Sequence, residues 1–253
     1  MQILLVQERF LERAATLDLK HCLIWKGGSL LLRRYSSIQP PRFTTDLDLL
    51  IRGTTISDTI QLLSRAAKTE LDDGFTFVFK KQTPMKRDTP YGGERLEISW
   101  ALDGKPNSEP LRIDLCAGDD VDVLEVKLES TFIDSPLSQS LAIHVYPPEF
   151  IFTEKLETVA RFGTGNTRLK DFIDLWTLIH ADLKQDKLRS AISRCYSRRG
   201  SELDLPFLAR IFADRDFADE LERARQRNYP DLPIPNVHDL FRDVLSFVKK
   251  TLV

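Results

Sequence analysis

Cysteine is scarce in this chain, and long apolar runs are missing altogether. Cys22, Cys116 and Cys195 are scattered and form no CxxC pair, which excludes a zinc ribbon and a disulfide framework. They read as buried apolar residues in a reducing compartment. The four histidines, His21, His144, His180 and His238, show no metal-ligand spacing. No apolar stretch approaches the roughly 20 residues that a membrane span requires. The opening residues, Met1 to Val6, lack the basic flank, the length and the cleavage site of a secretion signal, so a cytoplasmic protein without membrane contact is expected. An excess of positive charge is missing as well. The net charge of −2 and pI of about 6.1 exclude a protein that coats nucleic acid through bulk charge, although a local basic patch stays open. No internal repeat or low-complexity tract stands out.

What is present is an ordinary globular composition, 42% hydrophobic and 29% charged, so 253 residues can bury a core as one large domain or two small ones. Helical spacing of Leu4, Phe10, Leu11, Ala14 and Leu17 predicts a helix over 3–20. Cys22 to Trp25 is apolar and ends at Gly27-Gly28, and Leu30 to Tyr35 should start a helix on that turn, closed by Pro40-Pro41. Alternation predicts a strand over Phe43–Ile51, and Ser57-Asp58 starts a helix. Further strands are expected over Phe75–Lys80, Arg95–Leu102 and Leu111–Cys116, the last two flanking a long hairpin loop at 103–107. After Pro147-Pro148 the pattern is helical, near 149–162, 168–181, 184–197, 205–226 and 237–252. The expectation is therefore an α+β chain with a mixed first part, 1–146, and a mainly helical second part, 147–253.

Asp46 and Asp48 sit two apart on the strand over 43–51, so both carboxylates point to one face. They repel each other there, and a divalent cation removes that penalty. Mg²⁺, with Mn²⁺ as an alternative, takes oxygen ligands, typically one or two carboxylates plus substrate phosphates. On its own such a pair is more often a solvated strand face than a metal site. Upstream, Gly28-Ser29 opens a helix whose free N–H groups suit a phosphate, to which Ser29 can add a hydroxyl; a plain strand-to-helix turn is the bland alternative. Asp114 alternates with Ile113 and Leu115 on a later strand and offers a third carboxylate, with Glu97 as the alternative. Three carboxylates can hold two metals, one activating the attacking hydroxyl and one neutralising pyrophosphate.

Wound at about 100° per residue, 149–162 places Lys155 inside an apolar arc of Ile151, Phe152, Val159 and Phe162. A lysine there either snorkels to the rim or is held to meet a phosphate. Asp171 and Asp174, three apart on the next helix, either offset its dipole or serve the site, and Arg168 and Lys170 either contact phosphate or are solvated.

Taken in order, Trp25-Lys26-Gly27-Gly28-Ser29-Leu30, Arg42-Phe43-Thr44-Thr45-Asp46-Leu47-Asp48-Leu49, Ile113-Asp114-Leu115, Glu154-Lys155-Leu156 and Asn166-Thr167-Arg168-Leu169-Lys170-Asp171-Phe172-Ile173-Asp174-Leu175 resemble the motifs of the AbiEii/AbiGii-type nucleotidyltransferase toxins, across about residues 5–180. The resemblance implies a DNA polymerase β-like core over 1–146, a mixed sheet with helices, and a helical domain over 147–253 completing the cleft. It implies Mg²⁺-dependent transfer of a nucleotide from an NTP. Asp46, Asp48 and Asp114 would hold the metal; Lys26, Gly27, Gly28, Ser29, Thr45, Lys155, Arg168 and Asp174 would bind the nucleotide; Lys155 and Asp171 would join the three carboxylates in catalysis. Thr44 or Thr45 sits where some members carry a modifiable hydroxyl. The resemblance further implies a toxin with a cognate antitoxin, acting in growth arrest and phage defence, with RNA, in particular tRNA, as acceptor. A protein acceptor, a catalytically inactive binding protein and a small-molecule resistance enzyme are the competing readings, the last disfavoured by the Glu154-Lys155-Leu156 motif and the motif running from Arg168 to Leu175. Trp25 replaces the family's usual Leu and Ile173 its Tyr or Phe, and many members carry a longer N-terminal segment. Nothing in the sequence indicates the preferred nucleotide or the oligomeric state.

Overall fold

The first helix, α1 (Gln2–Thr16), buries charge as well as carbon. In this computed structural model, which describes residues 2–17, 19–35, 44–85, 92–128, 130 and 141–252, Val6, Phe10, Leu11 and Ala14 are buried, and so are Glu8, Arg9, Glu12 and Arg13. Burying a guanidinium is costly unless every N–H finds an acceptor. Arg13 meets that condition: Nε donates to Thr69 O, Nη1 to Arg9 O and Asp73 Oδ2, and Nη2 to Asp73 Oδ1 and Phe75 O. The charges interspersed along this helix thus belong to the interior. The helix expected over 3–20 ends at Thr16, and a 3-10 turn, Leu19–His21, follows.

Two compact units divide the chain. The first holds α1, β1 (Leu23–Lys26), α2 (Gly27–Arg34), β2 (Asp46–Ile51), α3 (Ile56–Ala66), β3 (Phe75–Pro84), β4 (Gly93–Leu102), β5 (Lys105–Pro106), β6 (Leu111–Ala117), β7 (Leu124–Leu128) and β8 (Leu141–Val145). The strands form one mixed sheet in the order β3-β4-β6-β2-β1-β8-β7, with β5 folded back on β4. β2 pairs parallel with β6 and β1 parallel with β8, and the other pairings are antiparallel. Leu47, Leu49, Leu96, Ile98, Ile113 and Leu115, on one face of the central strands, are wholly buried.

Several sequence expectations are corrected here. β2 starts at Asp46, with Thr44 and Thr45 outside the strand, while Phe43 and Pro40-Pro41 lie outside the described residues. The long hairpin loop is a tight turn: Asp103 and Gly104 both have positive φ, 49° and 74°, the requirement of a two-residue turn that returns the chain along β4. β7 and β8 form where the sequence pattern predicts no strand.

In the second unit lie α4 (Pro148–Phe162), α5 (Leu169–Ile179), α6 (Gln185–Arg199), α7 (Leu205–Ala213), α8 (Arg215–Asn228) and α9 (Val237–Leu252). The single helix expected over 205–226 is two. Asp214 adopts an extended conformation and its carboxylate accepts from Phe217 N, capping α8 and ending α7. Phe172 packs against Phe212, Phe217 and Phe241, joining α5, α7, α8 and α9 in one aromatic core. The mixed first part and the helical second part agree with the α+β expectation.

Candidate active site

Strand register lines the charged side chains up in rows. Lys26 on β1 opposes Asp48 on β2, Asp48 opposes Asp114 on β6, and Asp114 opposes Arg95 on β4. Directly opposed residues share a face, as do residues two apart on a strand. A second row, Asp46, Arg112, Glu97 and Lys81, therefore runs beside the first on the same face. The alternation of β2 sends its leucines at 47 and 49 into the core and leaves both aspartates half-buried, whereas Asp114 is only 8% exposed.

The glycine turn touches this row. Gly27 has φ +75°, and a Cβ there would lie 2.0 Å from Asp48 Oδ2. A glycine is thus required both by the backbone and by the close approach of the carboxylate. The first turn of α2, where Gly27 and Gly28 lie, is the positive end of the helix dipole, which favours the Asp48 anion beside it. Lys26 Nζ pairs with Asp119 Oδ2 at 3.1 Å and stands over the Tyr146 ring at 4.4 Å. Ser29 is fully buried, and its Oγ accepts from Trp25 Nε1 at 2.9 Å, so the departure at position 25 supplies the hydroxyl's partner. The Thr45 hydroxyl donates to Asp46 Oδ1 at 3.0 Å.

Arg95 is the residue that sequence reasoning missed. Its Nε donates to Asp114 Oδ1 and its Nη2 to Asp114 Oδ2, both at 2.7 Å, and Nη2 reaches Asp46 Oδ2 at 3.2 Å. These bonds to Asp114 hold the guanidinium charged well above its ordinary value. The available signal was a basic residue at the start of a strand expected to pair near Asp114, but only register assigns it a partner. Glu97, the alternative third carboxylate, instead pairs with Lys81 Nζ at 3.3 Å.

The donors fit a hard divalent cation in kind: carboxylate oxygens from one face of adjacent strands, two of them directly opposed. In arrangement the face is closed, because Arg95 bridges Asp46 and Asp114. Among the described residues no group of three or more His, Cys, Asp or Glu side chains is set around a metal position.

A second charged cluster is built in the helical unit. Lys155 Nζ on α4 lies 3.1 Å from Asp171 Oδ1 and 2.6 Å from Asp174 Oδ2, both on α5. The lysine side chain is 15% exposed and the carboxylates 3% and 0%. Asp171 and Asp174 are thus interior charges that share a cation. The Arg168 Nε lies 3.3 Å from Asp171 Oδ2, an oxygen that accepts no hydrogen bond from the described residues. Asn166 Oδ1 accepts from Arg168 N, fixing the turn before α5. Glu154, next to Lys155, faces α6 instead, where Arg199 pairs with it at 3.6 Å and also with Glu157. The Glu-Lys pair of the motif thus ties one helix to two neighbours. The apolar arc inferred around Lys155 holds for Ile151, Phe152 and Val159, but Phe162, at the end of α4, is 44% exposed, with the Arg161 guanidinium over its ring.

Comparison with known proteins adds a family. The family model described as nucleotidyl transferase AbiEii toxin, type IV toxin–antitoxin system, matches residues 9–245. The crystal structure of JHP933 from Helicobacter pylori is similar at TM-score 0.53 and 16% identity, covering 99% of this chain and 92% of that one, a likeness of fold. No curated protein matches the chain.

Proposed function

Because the chain belongs to the AbiEii nucleotidyl transferase toxin family of type IV toxin–antitoxin systems, we propose that it transfers a nucleotidyl group from an NTP to a hydroxyl of an acceptor RNA, with tRNA as the acceptor, in a Mg²⁺-dependent reaction. The observation that carries the reading is the shared face of Asp46, Asp48 and Asp114, with Lys26 and Arg95 opposing them at either end of one row. In the reaction the acceptor oxygen bonds to the α-phosphorus, the bond to the bridging oxygen breaks, pyrophosphate leaves with the electron pair, and the acceptor's proton passes to solvent. Asp46, Asp48 and Asp114 would hold Mg²⁺, or Mn²⁺ in its place. Bound there, the ion would supply Lewis acidity to the attacking hydroxyl and neutralise charge on the pyrophosphate. The chain's own part is positioning and charge. The backbone at Gly27 and Gly28 and the Lys26 ammonium favour the triphosphate; Gly27 lets the Asp48 carboxylate approach the helix start; Trp25 orients the Ser29 hydroxyl. Lys155, Asp171, Asp174 and Arg168 are assigned to the same reaction on the family's pattern, and the 1–146 and 147–253 division to catalytic core and helical domain likewise. A cognate antitoxin protein is the partner this reading implies.

Purified protein incubated with total tRNA, Mg²⁺ and each labelled NTP in turn should label RNA, and Asp46→Ala should abolish the label. Label on polypeptide instead would make a protein the acceptor. No label on RNA or protein with any NTP would overturn the enzymatic reading and favour a binding protein.

A further inference from the structure

The strongest feature not absorbed by the reaction is the guanidinium lying across the carboxylate face. We propose that Arg95 is an internal counter-cation that closes this face to metal, and that it must leave Asp46 and Asp114 before a divalent ion binds there. The inference rests on the metal-dependent reading above.

Three observations carry it. Both oxygens of Asp114 accept from Arg95 at 2.7 Å, and one of them belongs to a fork that also reaches Asp46. A metal seeking those oxygens competes with charge-assisted hydrogen bonds of good length, the strong class of protein hydrogen bond. Next, Asp114 is 8% exposed, so its carboxylate has little solvent contact through which an ion could bypass the arginine. Finally, Arg95 is 37% exposed at the side chain, whereas Asp114 is held on the buried middle strand β6. The guanidinium is the member of the pair free to swing into water. On β4, Glu97 stands two residues along on the same face, 26% exposed at its side chain, and offers the displaced guanidinium a carboxylate beside Lys81.

In charge, the arrangement is a substitution. Without metal, a positive side chain offsets the repulsion of Asp46 and Asp114; with metal, the ion does so, and a retained Arg95 would repel it. Entry of the ion and departure of the arginine are then one linked equilibrium, and whatever favours one favours the other.

The test is Mn²⁺ binding to the full chain, read by electron paramagnetic resonance of free Mn²⁺ with Mg²⁺ as competitor and no nucleotide present. Arg95→Ala should bind Mn²⁺ about tenfold tighter than the unmodified protein, about 1.4 kcal/mol. Arg95→Lys, which keeps the charge and loses the fork, should fall between them. In the absence of metal Arg95→Ala should also melt lower, and Mn²⁺ should restore more of its stability than it adds to the unmodified protein. Folding of each variant is checked by circular dichroism. An affinity of folded Arg95→Ala within twofold of the unmodified protein, or weaker, overturns the proposal while leaving the metal reading intact. If neither protein binds Mn²⁺ more tightly than Asp46→Asn combined with Asp114→Asn, the metal reading itself fails and the proposal falls with it.

Discussion

Replacing Lys155 with methionine removes the cation that two interior carboxylates share. Asp174 is fully buried and Asp171 nearly so, each within 3.1 Å of the ammonium. Taking away one member of a buried ion pair typically costs about 3–5 kcal/mol, because the remaining charge is left without compensation. Here two like charges remain, with Arg168, 57% exposed, at 3.3 Å from Asp171. For a chain of 253 residues, at roughly 2–4 °C per kcal/mol, the loss corresponds to about 6–20 °C in Tm. Methionine keeps the volume, so the effect isolates charge. The second perturbation is Lys155→Met with Asp174→Asn, which removes one of the two anions that faced the ammonium. The double variant should regain stability relative to the single one, with a coupling of about 1–3 kcal/mol. Thermal and urea unfolding of the four proteins of the cycle measure this directly. A Lys155→Met variant melting within 1 °C of the parent, or a double variant less stable than the single, would refute the reasoning.

Two more predictions follow from geometry. Gly27→Ala forces an L-residue to φ +75° and places its Cβ 2.0 Å from Asp48 Oδ2, so Asp48 has to move; a loss of about 1–3 kcal/mol is expected, and an unchanged Tm with Asp48 unmoved in a crystal structure would contradict it. Glu222 accepts from Arg225, Gln226 and Val237 N, which links α8 to the start of α9, and Glu222→Gln should cost about 1–2 kcal/mol at neutral pH. The Arg225 hydrogen bonds lower the Glu222 pKa from its ordinary value of 4.5, so its contribution is present above that value and is lost as the pH falls through the lowered one; the stability gap between parent and Glu222→Gln should shrink on acidification, and a gap that widens would argue against the linkage.

Local pattern made some of the site legible and long-range pairing hid the rest. Asp46, Asp48 and Asp114 alternate with residues that the core takes up, and that signal needs only a few neighbours in the chain. Gly27 announced a turn, but its contact with Asp48 depends on β1 lying beside β2. Arg95 could be read only as the first residue of a strand, because its partners sit on strands that become neighbours through register. Lys155, Asp171 and Asp174 were each conspicuous, yet helical periodicity says nothing of which residues on another helix they meet. β8 is a five-residue strand whose parallel partner, β1, lies far away in sequence, so it offers little local evidence. The break at Asp214 is legible in principle: an aspartate whose carboxylate can accept from the backbone N–H three residues on is a cap signal even without glycine or proline.

The Arg13 contacts bear on how the chain is made. Apart from Arg9 O, every acceptor of this guanidinium lies 56 to 62 residues further along the chain. At ribosomal rates of about 5–20 residues per second, α1 waits roughly 3–12 s after emerging before those acceptors exist. Throughout that interval the Arg13 guanidinium, later enclosed, has to keep its charge in water. Enclosure of the Arg13 guanidinium therefore has to wait for residues 69–75, which supply its remaining acceptors.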